Sequence, residues 1–451
     1  MLPGSLFFRQ RLLPWAGPTR SSMSKQILKD LPDLIKAEVI TEETAEKIKS
    51  YYSGQYPHST NRLFIVFGIL GGLLVSMGIV LIIAHNWDTL PKTVKLAIGL
   101  LPLLAGQLIA GVLVIKKSED KTWKEGTGAF LFVAVAISIS IVSQVYNIEG
   151  NLGNFLLVWM SLTLPIIYVL RSSMASLLYI SGITWYACEV SYFSYPHGHA
   201  WWYWLLFILI LPFYYFEFIK DGIKNNFFYF NSWLLALTLT ICLGVFVDKH
   251  GELILIAYMC LFSAFVILSE MPAFDTGRVI SNAFLVIGSL GVVVSLLILS
   301  FDFYWDELDD SSSENFTEGI EFIVGAVTTL IAGALLVLGL RRKSVSEINS
   351  KSFAFIVFIV LFFIGLKTPV IAQLLINLVI LLLAIHTIRN GAQRNHLGIL
   401  NYGLLIITAL ILCRFFDTDF TFVVRGLLFI SVGIGFFAAN YYMIKKRKKE
   451  V

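Results

Sequence analysis

FIVFGILGGLLVSMGIVLIIA (64–84), HNWDTLPK (85–92) and TVKLAIGLLPLLAGQLIAGVLVI (93–115) together decide the fold. The first segment has no charged residue and the third has only Lys95. Each is long enough for a helix to cross the hydrocarbon core, which takes ~20 apolar residues. Membrane β-strands would be half that length and would alternate apolar with polar residues. The short polar segment between them reads as a turn. Pro91 suits the first turn of a helix, where its missing N–H costs nothing. Asp88 precedes that helix, and a carboxylate there can accept from free backbone amides.

The same pattern recurs along the chain. Of 451 residues, 57% are hydrophobic and 14% charged, with mean hydropathy +0.78. Soluble domains carry about 25% charged residues, so the excess apolar surface belongs in lipid. Apolar runs fall at 64–84, 93–115, 127–145, 153–170, 175–193, 201–219, 229–247, 253–271, 279–300, 320–340, 352–366, 370–388, 398–413 and 422–444. The expectation is an all-α, polytopic helical membrane protein with about 14 transmembrane helices, filling residues 64–444. Lys367-Thr368-Pro369 separates the short eleventh run from the twelfth, so these two form either full spans or a broken, re-entrant pair.

Charge orients the bundle. With 14 spans, 28 of the 34 Lys and Arg residues lie on the side of the two termini. The other side holds Lys92, Lys95, Lys249, Lys367, Arg414 and Arg425. Basic residues stay in the cytoplasm, which places both termini there, including the basic tail 445–451.

The N-terminal region divides in two. Residues 1–23 read as a disordered extension or as sequence upstream of a true start at Met23, with an amphipathic anchor as the alternative. Arg9 and Arg11 break what would be the apolar core of a signal peptide. Residues 24–60 predict a cytoplasmic helical hairpin, with Ile27, Leu28, Leu31, Leu34 and Ile35 on one face. Thr41 caps the second helix, with Glu42 and Glu43 in its first turn. Such a hairpin is too small to fold alone, so residues 24–55 must pack on the bundle, the bilayer or a cytoplasmic protein partner.

Two polar clusters fall on the non-cytoplasmic side. His85, Asn86, Asp88 and Lys95 form the first; Arg414, Asp417 and Arg425 belong to the second, with Asp419 close by. Either one is a structural cap or part of a functional site, and near a membrane face the two arginines need counter-charges. Gln107, Gln144, Gln373, Asn377, Asn401 and Asn440 lie within spans, and Gln373 and Asn377 share a helix face. Glu189 and Glu217 are near span ends. The acids from Asp302 to Glu321 match no calcium-loop spacing and read as a solvated face. Cys188, Cys242, Cys260 and Cys413 all lie in spans without metal-ligand spacing. No metal site, disulfide or cofactor is expected. Nucleotide-binding and hydrolase motifs are missing, and the basic tails suit membrane lipids rather than nucleic acid.

SMGIVLIIAHNWDTLPKTVKLAIG (76–99), SQVYNIEG (143–150) and RFFDTDFTFVVRGLLFISVG (414–433) resemble elements of the bacterial membrane-protein family defined by the uncharacterised DUF2157 domain. The resemblance is densest over about residues 25–170. His85 stands where small residues are commoner in that family. The likeness implies a bacterial inner-membrane location and the topology above, with no reaction or substrate. Three functions remain open. The first is transport of a small molecule or lipid-linked substrate, through a polar cavity lined by Gln144, Gln373 or Asn377. The second is a membrane enzyme with His85 or Asp88 handling protons while Lys95, Arg414 and Arg425 hold an anionic group. The third is a scaffold or sensor acting through the N-terminal hairpin.

Overall fold

The computed structural model describes residues 31–55 (without 33 and 38), 74, 85, 87–116, 120–194, 198–220, 226–247, 251–274, 279–311, 319–343, 348–394, 396–417 and a few single positions up to Tyr441. The expected spans 64–84 and 422–444, the extension 1–23 and the tail 445–451 lie wholly or largely outside these residues. The chain divides into two units, Met1–Leu90 and Pro91–Val451.

In the first unit, α1 (Glu42–Gln55) starts where the side chain of Thr41 accepts from Thr44 N–H at 3.3 Å. Lys47 and Glu43 pair one turn apart at 2.7 Å. Leu31 and Ala45 are buried, each 6% exposed. Trp87–Thr89 forms a single 3-10 turn, closed by Leu90 N–H donating to Trp87 O.

The second unit is a helical bundle, and among the described residues every regular element in it is helical. Its helices are α2 (Lys92–Ile115), α3 (Lys121–Tyr146), α4 (Leu152–Leu170), α5 (Ser173–Cys188), α6 (Trp201–Tyr214), α7 (Asn226–Leu243), α8 (Gly251–Ser269), α9 (Ala283–Ile298), α10 (Phe303–Ser311), α11 (Ile320–Leu340), α12 (Ala354–Gly365), α13 (Pro369–Gln393) and α14 (Leu397–Asp417). Apart from the nine-residue α10, each overlies one of the expected second to thirteenth spans. Among the described residues, nine helices are long and apolar enough to cross a membrane, and α9 and α12 are shorter apolar helices. The protein is a polytopic helical membrane protein.

Helix ends follow local chemistry. Asp120 accepts from Thr122 N–H and Trp123 N–H, Asn151 from Asn154 N–H, and Asn282 from Leu285 N–H, each satisfying an orphan amide of the first turn. Glu125 of α3 caps α5 from outside, accepting from Ser172 Oγ at 2.8 Å and from the N–H groups of Ser173 and Met174. Pro369 opens α13 at its first turn, so the break at Lys367-Thr368 separates a 12-residue helix from a 25-residue one.

Two cores hold the bundle. One joins α3–α7 around Leu156, Met160, Tyr179 and Tyr203, and the other joins α7–α14 around α8. α8 is the central helix, buried along most of its length, whereas α2 and α11 are mostly exposed. Ile256 lies against Gly325, and Cys260 Sγ is 3.3 Å from Thr329 Oγ1, so α8 and α11 run parallel in register. The outer faces of α2 and α11 expose Leu101, Leu104, Leu108, Ile323, Val327 and Leu330. In a bilayer these faces meet lipid, the environment that makes their exposure favourable.

Candidate functional site

α3 is fastened to a neighbour on each side, and the two fastenings diverge. Toward α2, Ser138 Oγ donates to Gly99 O at 2.8 Å, and Gly106 lets Leu131 approach so closely that a Cβ there would lie 2.6 Å from its Cδ2. Toward α4, Trp159 Nε1 donates to Phe132 O at 2.8 Å, with the Phe132 and Trp159 rings 4.8 Å apart. α2 and α4 themselves touch little. The splay leaves an open groove of about 920 Å³.

Its wall is mostly apolar: Leu103 from α2, Leu131, Val135 and Val142 from α3, and Val158 and Leu162 from α4. Its mouth is polar, formed by Ser143, Glu149, Asn151 and Asn154. The chain turns sharply there because Asn147 takes a left-handed conformation (φ 48°), which asparagine tolerates better than most residues. Ile148 N–H donates to Ser143 O, and Ser143 Oγ donates to Ile148 O at 3.0 Å. This double link folds the loop back and leaves Glu149 exposed.

Gln107 lies deep in the groove. It stands fifteen residues after Lys92, the first residue of α2, which is ~22 Å along the helix at 1.5 Å per residue. Its side chain is exposed to the groove and makes no hydrogen bond among the described residues. An amide at that depth with no partner among the described residues is costly in hydrocarbon. A ligand polar group inside the groove would satisfy it.

A second polar centre gathers residues that are distant in sequence. Gln373 Nε2 and Asn377 Nδ2 of α13 both donate to Ser300 O, at 3.3 and 3.4 Å. Arg414 Nη2 of α14 donates to Ser300 Oγ at 3.2 Å, and its guanidinium lies 5.0 Å from the centre of the Phe301 ring. Trp305 Nε1 donates to Leu299 O at 2.8 Å. The two amides and the indole satisfy the carbonyls at the end of α9, where no intrahelical donors remain, and Arg414 holds the Ser300 hydroxyl. The centre ties α9, α13 and α14 together and so has a structural role.

His85 and Asp88 are exposed in the first unit, and Asn86 lies outside the described residues. Lys95 is half-buried near the start of α2 and does not line the groove. Arg414 joins the Ser300 centre, while Arg425 and the side chain of Asp417 lie outside the described residues. Gln373 and Asn377 share a face as expected, but they serve the Ser300 carbonyl. The groove is lined by Gln107 and not by Gln144. Glu189 opens a π-helical turn, Glu189–Phe193, and accepts from Ser194 Oγ at 3.3 Å. Among the described residues no disulfide joins the four cysteines, and no cluster of metal-binding side chains occurs.

Ser300, Glu149 and the groove role of Gln107 escape a reading of the sequence. SQVYNIEG, a polar run directly after an apolar span, is the one signal that marks the mouth.

Residues 32–176 match the model of the family described as a predicted membrane protein, DUF2157. The match covers about a third of the chain and contains every residue that lines the groove. No curated protein and no solved structure is significantly similar to the chain.

Proposed function

We propose that this membrane protein transports an amphiphile, a lipid or lipid-linked molecule, along the groove between α2, α3 and α4. One observation carries the reading: an apolar cleft with a polar mouth that also holds a hydrogen-bonding amide, Gln107, well inside the bilayer. Binding alone would need only the mouth and the apolar wall. A polar group far down the wall gives a moving headgroup an intermediate partner, which lowers the cost of carrying it through hydrocarbon.

The charge distribution favours a cytoplasmic position for both termini in an inner membrane, and the mouth then opens on the opposite side. His85, Asn86, Asp88 and Lys95, and in the second cluster Arg414, Asp417 and Arg425, remain candidate functional residues. The hairpin at 24–55 is the candidate surface for a cytoplasmic partner.

The test is a proteoliposome assay following inward transfer of a tail-labelled fluorescent phospholipid. Val158 and Leu162 are about half exposed on the groove wall, so tryptophan at either position should fill the cleft without disturbing the core. Transfer by the wild type, slowed at least severalfold in Val158→Trp and Leu162→Trp, is the expected result. Unaltered transfer in both variants, or none in the wild type, rejects the proposal.

A further inference from the structure

The mouth of the groove also carries information about the head it accepts, an inference that rests on the amphiphile reading above. Glu149 brings the only formal charge among the described residues that line the groove. No lysine, arginine or histidine lines the groove among the described residues, and neither Lys95 nor Arg414 reaches it. The neutral groups at the mouth add acceptors beside Glu149, while the amide NH2 groups of Asn151 and Asn154 remain donors. The hydroxyl hydrogen of Ser143 is committed to Ile148 O, so its oxygen faces a ligand with lone pairs. Asn151 Oδ1 already accepts from Asn154 N–H and keeps a second lone pair. A phosphate-terminated head would meet a like charge with no lysine, arginine or histidine among the described lining residues to offset it, and repulsion of that kind discriminates as effectively as attraction. An ammonium group would instead find a carboxylate and further acceptors for its three N–H donors.

We infer that the groove selects amphiphiles whose head carries a positively charged amine, with Glu149 as the residue that sets this preference. The sequence-based expectation of an anion held by Lys95, Arg414 and Arg425 concerns a different part of the molecule. Because Glu149 is exposed, the discrimination is graded: a solvent-accessible ion pair supports a preference of about fivefold.

The full chain in phosphatidylcholine nanodiscs, photolabelled at neutral pH, tests the inference. The probes are stearylamine, stearyl alcohol and stearyl phosphate, each with the same diazirine in its chain, and labelling is read on peptides from α3 and α4. The amine should label about fivefold more than the phosphate, with the alcohol between them. Glu149→Gln should reduce amine labelling to the level of the alcohol, with an unfolding midpoint matching the wild type reporting that the variant is folded. Equal labelling by all three heads, a phosphate preference, or an amine preference that survives Glu149→Gln overturns the head assignment and leaves the groove as an amphiphile site. Absence of groove labelling by every probe overturns the groove reading itself, and the head assignment with it.

Discussion

Lys351 is only 6% exposed, in the 3-10 turn Ser350–Phe353 that precedes α12. Its ammonium lies 5.1 Å from the centre of the Tyr402 ring, and its carbonyl accepts from Ser263 Oγ at 3.3 Å. The nearby Glu270 carboxylate is engaged by Asn349 N–H and by Lys343 at 3.9 Å. Burial pushes the Lys351 ammonium down to about 8. For Lys351 the folded pKa is below the unfolded one, so the unfolded chain binds more protons between them and stability rises with pH over that window. Below pH 8 the buried charge imposes its full cost, on the order of 3 kcal/mol. Lys351→Met should therefore raise the unfolding midpoint in detergent at pH 7, and the gain should shrink toward pH 10. A lower midpoint at pH 7 would show that the ring contact outweighs desolvation. Nothing in Asn349-Ser350-Lys351-Ser352 signals this burial, because α8 and α14 create it from far along the chain. Arg414 was legible as a charge needing a partner. That Ser300, 114 residues away, supplies one was not.

At the level of helices, the sequence is most readable where a break has a chemical cause. Pro369 marks the start of α13, since proline disfavours helix in the residue before it and fits the first helical turn. The π-helical turns that extend α5 and α6, Glu189–Phe193 and Tyr215–Lys220, have no comparable signature, and we have no physical account of their placement. The α13–α14 hairpin depends on close backbone approach. A Cβ on Gly391 would lie 2.7 Å from Leu400 Cα, so a methyl group there must push two main chains apart. Gly391→Ala should cost about 1–3 kcal/mol, the usual penalty for overpacking. Gly333 on α11 has nothing within 4 Å of the same position, and Gly333→Ala should be neutral or stabilising by up to ~1 kcal/mol. Unfolding titrations of both variants measure the contrast, and equal effects would refute the close-approach argument.

For the whole molecule, apolar runs and the distribution of Lys and Arg carry the class and much of the helix order, because each span must satisfy its own backbone in lipid. The groove was not legible in the same way. It arises from the divergence of two pairings, Ser138 with Gly99 and Trp159 with Phe132, and such divergence leaves no periodic trace. Gln107 could be read as a polar residue in a span, but whether it joined two helices or faced a cleft depended on that splay. The cleft should hold a membrane amphiphile. The most direct measurement replaces Val158 with the photoreactive residue p-benzoylphenylalanine, irradiates native membranes and weighs the α4 peptide. A lipid-mass adduct at position 158, diminished when Leu162→Trp is added, is the expected result. Crosslinks to protein segments alone, with no lipid-mass adduct, would contradict it.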